Sequence, residues 1–343
     1  MTAMANTITD RMDPVLDLLN QRPRENWSWN FEPDALGHSA VNAVALCNAA
    51  LLTYSDSASV RRFLSKWQFA DVRILRGFHT QGFIARQGNT LIVAFRGTEP
   101  INACDWLTNV NYHQRELLPS VTGLVHQGFA CALEEVKEPM VSAVAELSHG
   151  GVTQAFITGH SLGGVLAVLA ASILQGIHKI AAVYTFGQPR VGDLRFSMAF
   201  DAKLGNVTFR YVNDRDIVPH LPPAKMPARP VLSAPASVID SLRKLSQIPS
   251  AVREALMAVS AGETFAHVGQ LKLFLQDGRL TDDEKLWRER ELLYSGTIDN
   301  LIRSGSDLFR VAVGKVLDAD RCILDHDPLN GYLPKLERQL HSG

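Results

Sequence analysis

The chain has 343 residues, of which 46% are hydrophobic and 20% charged, a composition typical of globular proteins rather than of disordered or fibrous ones. Its 34 basic and 35 acidic side chains leave a formal net charge of −1, which excludes bulk positive charge as a means of binding nucleic acid or anionic membranes. The longest apolar runs, residues 43–52 and 165–174, fall short of the roughly 18 residues that a transmembrane helix needs. We therefore predict no membrane-spanning segment.

The N-terminus and the cysteines carry few signals. The opening residues, "MTAMANTITDRMDPVLDLLN", lack a basic stretch followed by an apolar run, so we read no secretory signal and favour the cytoplasm. The cysteines are far apart and form no CxxC pair, which favours reduced thiols over a disulfide framework or a zinc site. They are Cys47, Cys104, Cys131 and Cys322.

The first elements in chain order are a polar, proline-punctuated arm over residues 1–38 and a helix. The helix follows Ser39 in "SAVNAVALCNAALLTYS", where alanine and leucine recur at helical spacing. Farther on, "GFIARQGNTLIVAFRG" predicts two strands joined by a turn at Gly88. The second strand, Thr90–Phe95, is nearly all apolar, as expected for a strand buried on both faces of a parallel sheet.

Helices and strands then alternate. The segment "HQGFACALEEVKEPMVSAVAELSHGG" predicts a helix, "TQAFITG" a strand, the run from Leu162 a helix, and "IAAVYTFG" and "NVTFRYVN" two further strands. Such alternation indicates an α/β fold, with a mostly parallel central sheet flanked by helices. We interpret residues 1–343 as a single domain of this class.

The alternation ends after Pro223. An amphipathic helix is predicted in "ASVIDSLRKLSQIP" and a shorter one around residues 252–259. "GQLKLFLQDGRL" predicts a strand that reverses at Asp277–Gly278, and Thr281 with Glu284 has the spacing of a capping box at the start of another helix. We interpret residues 233–262 and 281–320 as helical insertions around the sheet.

The segment "FITGHSLGGVLAVLAASIL" places Ser161 between a predicted strand and a predicted helix. A GxSxG pattern in this context is typical of a nucleophile elbow, in which the serine occupies a strained turn. Gly159 and Gly163 stand where a Cβ would crowd the chain, and the Leu162 amide at the helix N-terminus is a natural oxyanion donor. The alternative is that both glycines only allow close helix–strand packing. The side chains of neighbouring residues on such a turn point in different directions, so we expect His160 to pack beneath the elbow.

Several blocks together resemble the class 3, fungal-type lipases over about residues 40–333. In chain order they are "LIVAFRGTEP", "CDWLTNV", "VHQGF", "FITGHSLGGVLA", "TFGQPRVGD", "DRDIVPHLPP", "FAHVG" and "LDHDPLNGYL". The resemblance implies an α/β-hydrolase fold, hydrolysis of carboxylic esters and a Ser-Asp-His triad.

The order nucleophile, acid, histidine leaves two options for each of the last two groups. Asp214 and Asp216 both follow the strand "NVTFRYVN"; the resemblance favours Asp216, which precedes "IVP", and leaves Asp214 as a turn residue. Of the later histidines, the resemblance assigns His326 as the base, with His267 as the alternative. The triad predicted is thus Ser161, Asp216 and His326.

The loop "FRGT" supplies the second oxyanion donor expected in this fold, at Thr98. A threonine there could equally cap its own loop. Residues 99–118 occupy the place of the family's lid, with an apolar face that could cover an acyl groove; for Trp106 alone, packing in an ordinary helix is the stronger alternative. The apolar residues of this face are Ile101, Trp106, Leu107 and Val110.

These features predict a serine carboxylic ester hydrolase, foremost a lipase acting on triacylglycerols. A phospholipase, a short-chain esterase and a lipase-like binding protein without catalysis are the alternatives. The expected partner is a fatty-acyl ester at a lipid–water interface, and nucleic acid is not expected. The triad chemistry requires no metal and no organic cofactor.

Overall fold

A computed structural model describes residues 27–97, 113–148, 151–224, 264–292 and 325–341. Several predictions lie outside these ranges: Thr98, the four apolar residues of the candidate lid and the insertion over residues 233–262. None of the helices within the described ranges is both long and apolar enough to cross a bilayer.

Residues 27–38, the described part of the predicted arm, pack against the sheet. The Trp29 indole donates a hydrogen bond to Gln87 Oε1 at 2.9 Å, and the Phe31 ring meets Phe156 edge-on at a centroid distance of 4.8 Å. Aromatic contacts of this kind stabilise beyond simple burial. This part of the arm therefore belongs to the folded body.

The first helix, α1, spans Ala40–Leu52 as predicted, with Ser39 Oγ accepting from Asn42 N at 3.1 Å as the N-cap. Helix α2, Ser57–Lys66, is capped by Asp56, whose carboxylate accepts from the amides of Ala58 and Ser59. Side-chain caps of this type satisfy amides that have no partner inside the helix.

The central sheet has eight strands in the order β1-β2-β3-β6-β7-β8-β9-β10. Strands β3, β6, β7, β8 and β9 run parallel, and antiparallel strands flank them at both edges. The prediction of a mostly parallel sheet is confirmed. The strands are β1 Asp71–Arg76, β2 Gln81–Gln87, β3 Thr90–Phe95, β6 Gln154–His160, β7 Ile180–Phe186, β8 Thr208–Asn213, β9 Gln270–Phe274 and β10 Leu280–Thr281, while β4 Gln114–Arg115 and β5 Val125–His126 form a separate pair.

Helices cover both faces of the sheet. Helices α3 (Gln127–Leu147), α4 (Leu162–Leu174) and α5 (Leu194–Leu204) share one apolar cluster with Leu91, Val93 and Phe95 of β3. Helices α1 and α2 and the C-terminal helix, Leu333–His341, share the other cluster with Ile92 and Ala94. Because successive strand residues point to opposite faces, burial of both faces explains why β3 is apolar from Leu91 to Phe95.

The late segment has one departure from prediction. The β9–β10 hairpin turns at Gly278, whose φ is +87°, as expected. Residues 284–292 form helix α6, so the C-terminal helix is α7. The predicted cap at Thr281 is wrong: Thr281 pairs in β10, and Asp283 Oδ1 accepts from Lys285 N at 2.9 Å and Leu286 N at 3.2 Å. The Thr281 hydroxyl instead accepts from the amide of Asp283, the capping residue, at 3.2 Å.

The parallel strands bring the loops after β6, β7 and β8 to one edge of the sheet. Ser161 follows β6, Gly187 follows β7, and Asp216 lies three residues beyond the end of β8. In open α/β sheets, ligands bind at the carboxyl ends of the strands. We therefore expect a binding or catalytic site at this edge.

Candidate functional site

Ser161 occupies a strained turn between β6 and α4. Its φ and ψ are 57° and −126°, and among the described residues Gln68 is the other non-glycine with a positive φ. The Ser161 amide donates to Phe186 O at 2.8 Å, and its carbonyl accepts from Gly164 N at 2.9 Å. Strain of this kind persists where surrounding bonds hold it and is common at catalytic positions.

The two flanking glycines are required by close backbone contacts. A Cβ at Gly159 would lie 2.1 Å from Gly163 O, and one at Gly163 would lie 2.3 Å from Phe95 O. Both distances are far below van der Waals contact. Close helix–strand packing and a nucleophile elbow, the two explanations for these glycines, therefore describe the same geometry. In it, the turn packs against the end of β3.

The loop after β3 runs beside the serine. A Cβ at Gly97 would lie 2.4 Å from His160 O and 3.0 Å from Ser161 Cβ. Thr98 is the next residue but lies outside the described ranges, so its role as an oxyanion donor stays a prediction. Leu162 is the first residue of α4, where amides have no acceptor within the helix, and its role is likewise a prediction.

His326 and Asp216 form a buried pair. His326 Nδ1 lies 2.9 Å from Asp216 Oδ2 and 3.0 Å from Oδ1, and their side chains are 3% and 0% exposed. Since a carboxylate accepts, Nδ1 carries the proton, and Nε2 of the neutral ring is then an acceptor. That Nε2 is buried and has no hydrogen-bond partner within the described part of the chain. A ring held in this tautomer can take a proton at Nε2.

Gly187 connects this pair to the serine. The Ser161 amide is bonded to the carbonyl of Phe186, the residue before Gly187. A Cβ on Gly187, whose φ is +61°, would lie 2.8 Å from Asp216 Oδ2 and 2.9 Å from His326 Nδ1. The end of β7 thus touches all three residues predicted as the triad.

Asp216 is held by two further donors. Val218 N donates to Oδ1 at 2.9 Å, and the Tyr332 hydroxyl donates to Oδ2 at 2.6 Å. Burial, followed by the Asp216 charge, raises the pKa of Tyr332 well above its usual value, so the phenol keeps its proton. The Tyr332 hydroxyl oxygen also accepts a hydrogen bond from Asn213 N at 3.0 Å. These bonds hold the carboxylate that His326 contacts.

Arg190 holds the loop that follows the acid. Its Nη1 donates to His220 O at 2.5 Å and to Pro222 O at 2.7 Å, while Nη2 forms an ion pair with Glu291. Burial lowers the pKa of Arg190, and the Glu291 charge opposes that shift. A buried guanidinium that bonds two carbonyls restricts the loop.

The alternative acid and base lie elsewhere. Asp214 forms an ion pair with Arg290. The His267 ring is buried against Trp287 at a centroid distance of 5.7 Å, and among the described residues Asp216 bonds His326 but not His267. The geometry therefore brings together Asp216 and His326 and leaves Asp214 and His267 in other surroundings.

His160 packs behind the elbow, as expected. It is fully buried, and its two ring nitrogens bond the Tyr54 hydroxyl at 2.8 Å and the His326 carbonyl at 2.7 Å. Burial lowers the pKa of His160 well below its usual value, with a smaller contribution from His326. The ring is neutral.

Sequence reasoning missed Tyr332, Gly187 and Gly97. Tyr332 lies in the same block, "LDHDPLNGYL", as His326, and a buried tyrosine hydroxyl needs a partner, so its closeness to the predicted base was the available signal. Within the described residues, no group of three or more histidine, cysteine, aspartate or glutamate side chains could hold a metal ion.

Comparison with known proteins shows similarity to lipases. Residues 92–226 match the family model described as lipase (class 3). The Arabidopsis thaliana triacylglycerol lipase OBL1 is 30% identical over 264 residues, 57% of this chain and 51% of that protein. The Fusarium solani secreted mono- and diacylglycerol lipase 1 is 38% identical over 135 residues, 39% of each chain. The chain thus spans about half or less of the length of these relatives.

A solved structure of the Rhizomucor miehei lipase propeptide complex aligns over 78% of this chain and 82% of its own, with 23% identity and a TM-score of 0.48. The α/β-hydrolase class predicted from the sequence is confirmed by the parallel sheet, its flanking helices and the strand–serine–helix turn. The family match covers Ser161 and Asp216 but ends before His326. The resemblance inferred from the motifs is confirmed over residues 92–226, which match the family model of the class 3 lipases.

Proposed function

We propose that this protein is a serine hydrolase that cleaves carboxylic esters of fatty acids, with acylglycerols as its main substrates. One observation carries the proposal: the buried His326–Asp216 pair, whose Nε2 has no partner among the described residues, lies against Gly187, and the residue before Gly187 bonds the amide of the strained Ser161. Nucleophile, base and orienting acid are the parts that acyl transfer by a serine requires.

In acylation, Ser161 Oγ attacks the ester carbonyl while His326 Nε2 takes the hydroxyl proton. We assign the Leu162 amide at the N-terminus of α4 and Thr98 as the two donors that stabilise the negative charge developing on the carbonyl oxygen. Asp216 stabilises the imidazolium through Nδ1. When the tetrahedral intermediate collapses, the C–O bond breaks and His326 returns its proton to the departing alcohol.

Deacylation repeats these steps with water. His326 Nε2 takes a proton from water, the oxygen attacks the acyl carbonyl, and the Ser161 Oγ–acyl bond breaks as the proton passes to Ser161. The products are a fatty acid and the free serine. Every proton moves between His326 and one of three partners: Ser161, the departing alcohol or water.

Acylglycerols are the preferred substrate class because the relatives named above are a triacylglycerol lipase and a mono- and diacylglycerol lipase. A phospholipase or a short-chain esterase would use the same triad. A panel of triolein emulsion, dioctanoylglycerol, phosphatidylcholine vesicles and p-nitrophenyl butyrate separates these activities. Release of fatty acid from phosphatidylcholine alone, or activity confined to the butyrate, would replace the acylglycerol assignment.

The catalytic assignment is tested by labelling with a fluorophosphonate probe. We expect one labelled serine in the folded protein, Ser161 by peptide mapping, and a loss of at least about 10³-fold in kcat for Ser161→Ala. Ser172→Ala is the matched control, because Ser172 lies on the same helix and bonds Val168 O. Absence of labelling in folded protein would favour a binding protein without catalysis.

A further inference from the structure

We propose that His160 is a positioning residue: as a neutral imidazole it ties the backbone of the base, His326, to the strand that carries the nucleophile. The inference rests on the ester hydrolysis proposed above. It concerns a residue next to Ser161 in sequence that takes no part in proton transfer.

The hydrogen bonds of His160 determine its tautomer. Its Nε2 lies 2.7 Å from the carbonyl oxygen of His326, and because a carbonyl only accepts, Nε2 carries the proton. In a neutral ring Nδ1 then accepts, and the Tyr54 hydroxyl at 2.8 Å is its donor. The His326 carbonyl therefore fixes the tautomer of His160, and Tyr54 supplies the donor that this tautomer requires at Nδ1.

The His160–His326 hydrogen bond comes from a different strand than the other contacts that hold the base. Asp216 holds the imidazole ring at Nδ1, and Asn213 Nδ2 holds the preceding residue, Asp325, through its carbonyl at 2.8 Å. Both of those anchors belong to β8 or the loop after it. His160 is the last residue of β6 and is bonded directly to Ser161 in the chain, so its bond ties the base to the elbow itself.

The surroundings keep His160 neutral during the reaction. The ring is 0% exposed, and burial lowers its pKa well below the usual value. Its centroid lies 4.5 Å from that of His326, so a charge on His160 would oppose the imidazolium that forms when His326 takes a proton. A neutral ring supplies the hydrogen bond without that repulsion.

Two amide substitutions separate the functions of the ring nitrogens. In His160→Gln the side-chain NH₂ reaches the Nε2 position and can still donate to the His326 carbonyl. In His160→Asn the amide reaches only the Nδ1 position, which keeps a partner for Tyr54 and loses the bond to His326. Both variants bury a polar amide, so their stabilities should be similar. His126→Gln, at a buried histidine whose Nδ1 caps α3 through Gly128 N at 3.1 Å, shows the effect of lost stability alone.

We expect His160→Asn to lower kcat on p-nitrophenyl butyrate by about 10- to 100-fold with KM unchanged, because small displacements of reacting groups have effects of that size. His160→Gln should stay within about threefold of the parent protein. The first-order rate of Ser161 phosphonylation should fall in parallel with kcat, while the final labelled fraction stays complete. Tyr54→Phe should give an intermediate loss.

Equal kcat values for His160→Asn and His160→Gln would overturn the proposal, as would a loss in His160→Asn no larger than in His126→Gln at equal melting temperature. Failure of the proposed function has a different signature: the parent protein itself would neither hydrolyse the ester nor react with the probe. The two failures are therefore distinguishable.

Discussion

Replacing Gly187 with alanine perturbs the point where Ser161, Asp216 and His326 meet. Gly187 has a φ of +61°, and Gly88, in the turn between β2 and β3, has a φ of +58°. The two glycines share a backbone conformation but differ in their surroundings. A Cβ at Gly88 meets nothing within 4 Å, whereas one at Gly187 meets the carboxylate and imidazole of the site. Gly88→Ala is therefore a matched control.

The size of the effect follows from these distances. Both substitutions place an alanine in the left-handed region, which costs about 1–2 kcal/mol of the free energy of unfolding. At Gly187 the new carbon would also lie 2.8 Å from Asp216 Oδ2 and 2.9 Å from His326 Nδ1, whereas favourable contact begins at about 3.5 Å. The pair must therefore move by about half an ångström or more, enough to lower kcat by roughly 10- to 100-fold.

The assay compares kcat on p-nitrophenyl butyrate with the free energy of unfolding in urea for both variants. We expect both proteins to lose stability and only Gly187→Ala to lose kcat. If Gly187→Ala retains kcat within twofold of Gly88→Ala, the contact at the end of β7 does not position the catalytic pair, and the reasoning is refuted.

His326→Ala should lower kcat by at least about 10³-fold while His267→Ala stays within about threefold; the reverse result would move the base to His267. Tyr332→Phe removes a hydrogen bond to the Asp216 carboxylate and should lower the free energy of unfolding by about 1.5–3 kcal/mol in urea, so an unchanged unfolding midpoint would contradict that bond. Burial lowers the pKa of His126 to about 4, so the unfolded chain binds a proton that the folded chain does not as pH falls from about 6.5 to 4, and stability drops there by up to about 1.4 kcal/mol per pH unit. His126→Gln should reduce the slope of the free energy of unfolding against pH in this range. An unchanged slope in urea titrations at successive pH values would contradict the lowered pKa of His126.

The regular elements of the sheet could be predicted from the sequence because each has a local signature. The unbroken apolar run of β3 and the glycine at position 88 are visible without a structure. The cap of α6 was not predictable in the same way: Thr281 has the right spacing, but its pairing with Leu273 in the hairpin moves the helix start to Asp283. Pairing between strands overrides a local pattern.

The site was predictable to a different degree at each position. Ser161 is marked by its own neighbours, since the glycines on either side and the flanking strand and helix are all local. The decision between His267 and His326 depended on resemblance, because no local pattern says which ring reaches Asp216. The roles of Tyr332 and Gly187 depend on contacts between distant segments, which spacing alone does not reveal.

The anchoring of the base also has a consequence for how the site forms. His326 lies 110 residues from Asp216 and 166 from His160, and Tyr332 lies 116 from Asp216. Contacts between such distant residues require closure of long loops, which is slow compared with local structure formation. On refolding from urea, esterase activity should therefore return no earlier than the circular dichroism of the completed sheet. For the same reason, a nascent chain whose segment 325–341 is still inside the ribosome has Ser161 but lacks His326, so we expect it to be inactive until α7 is released.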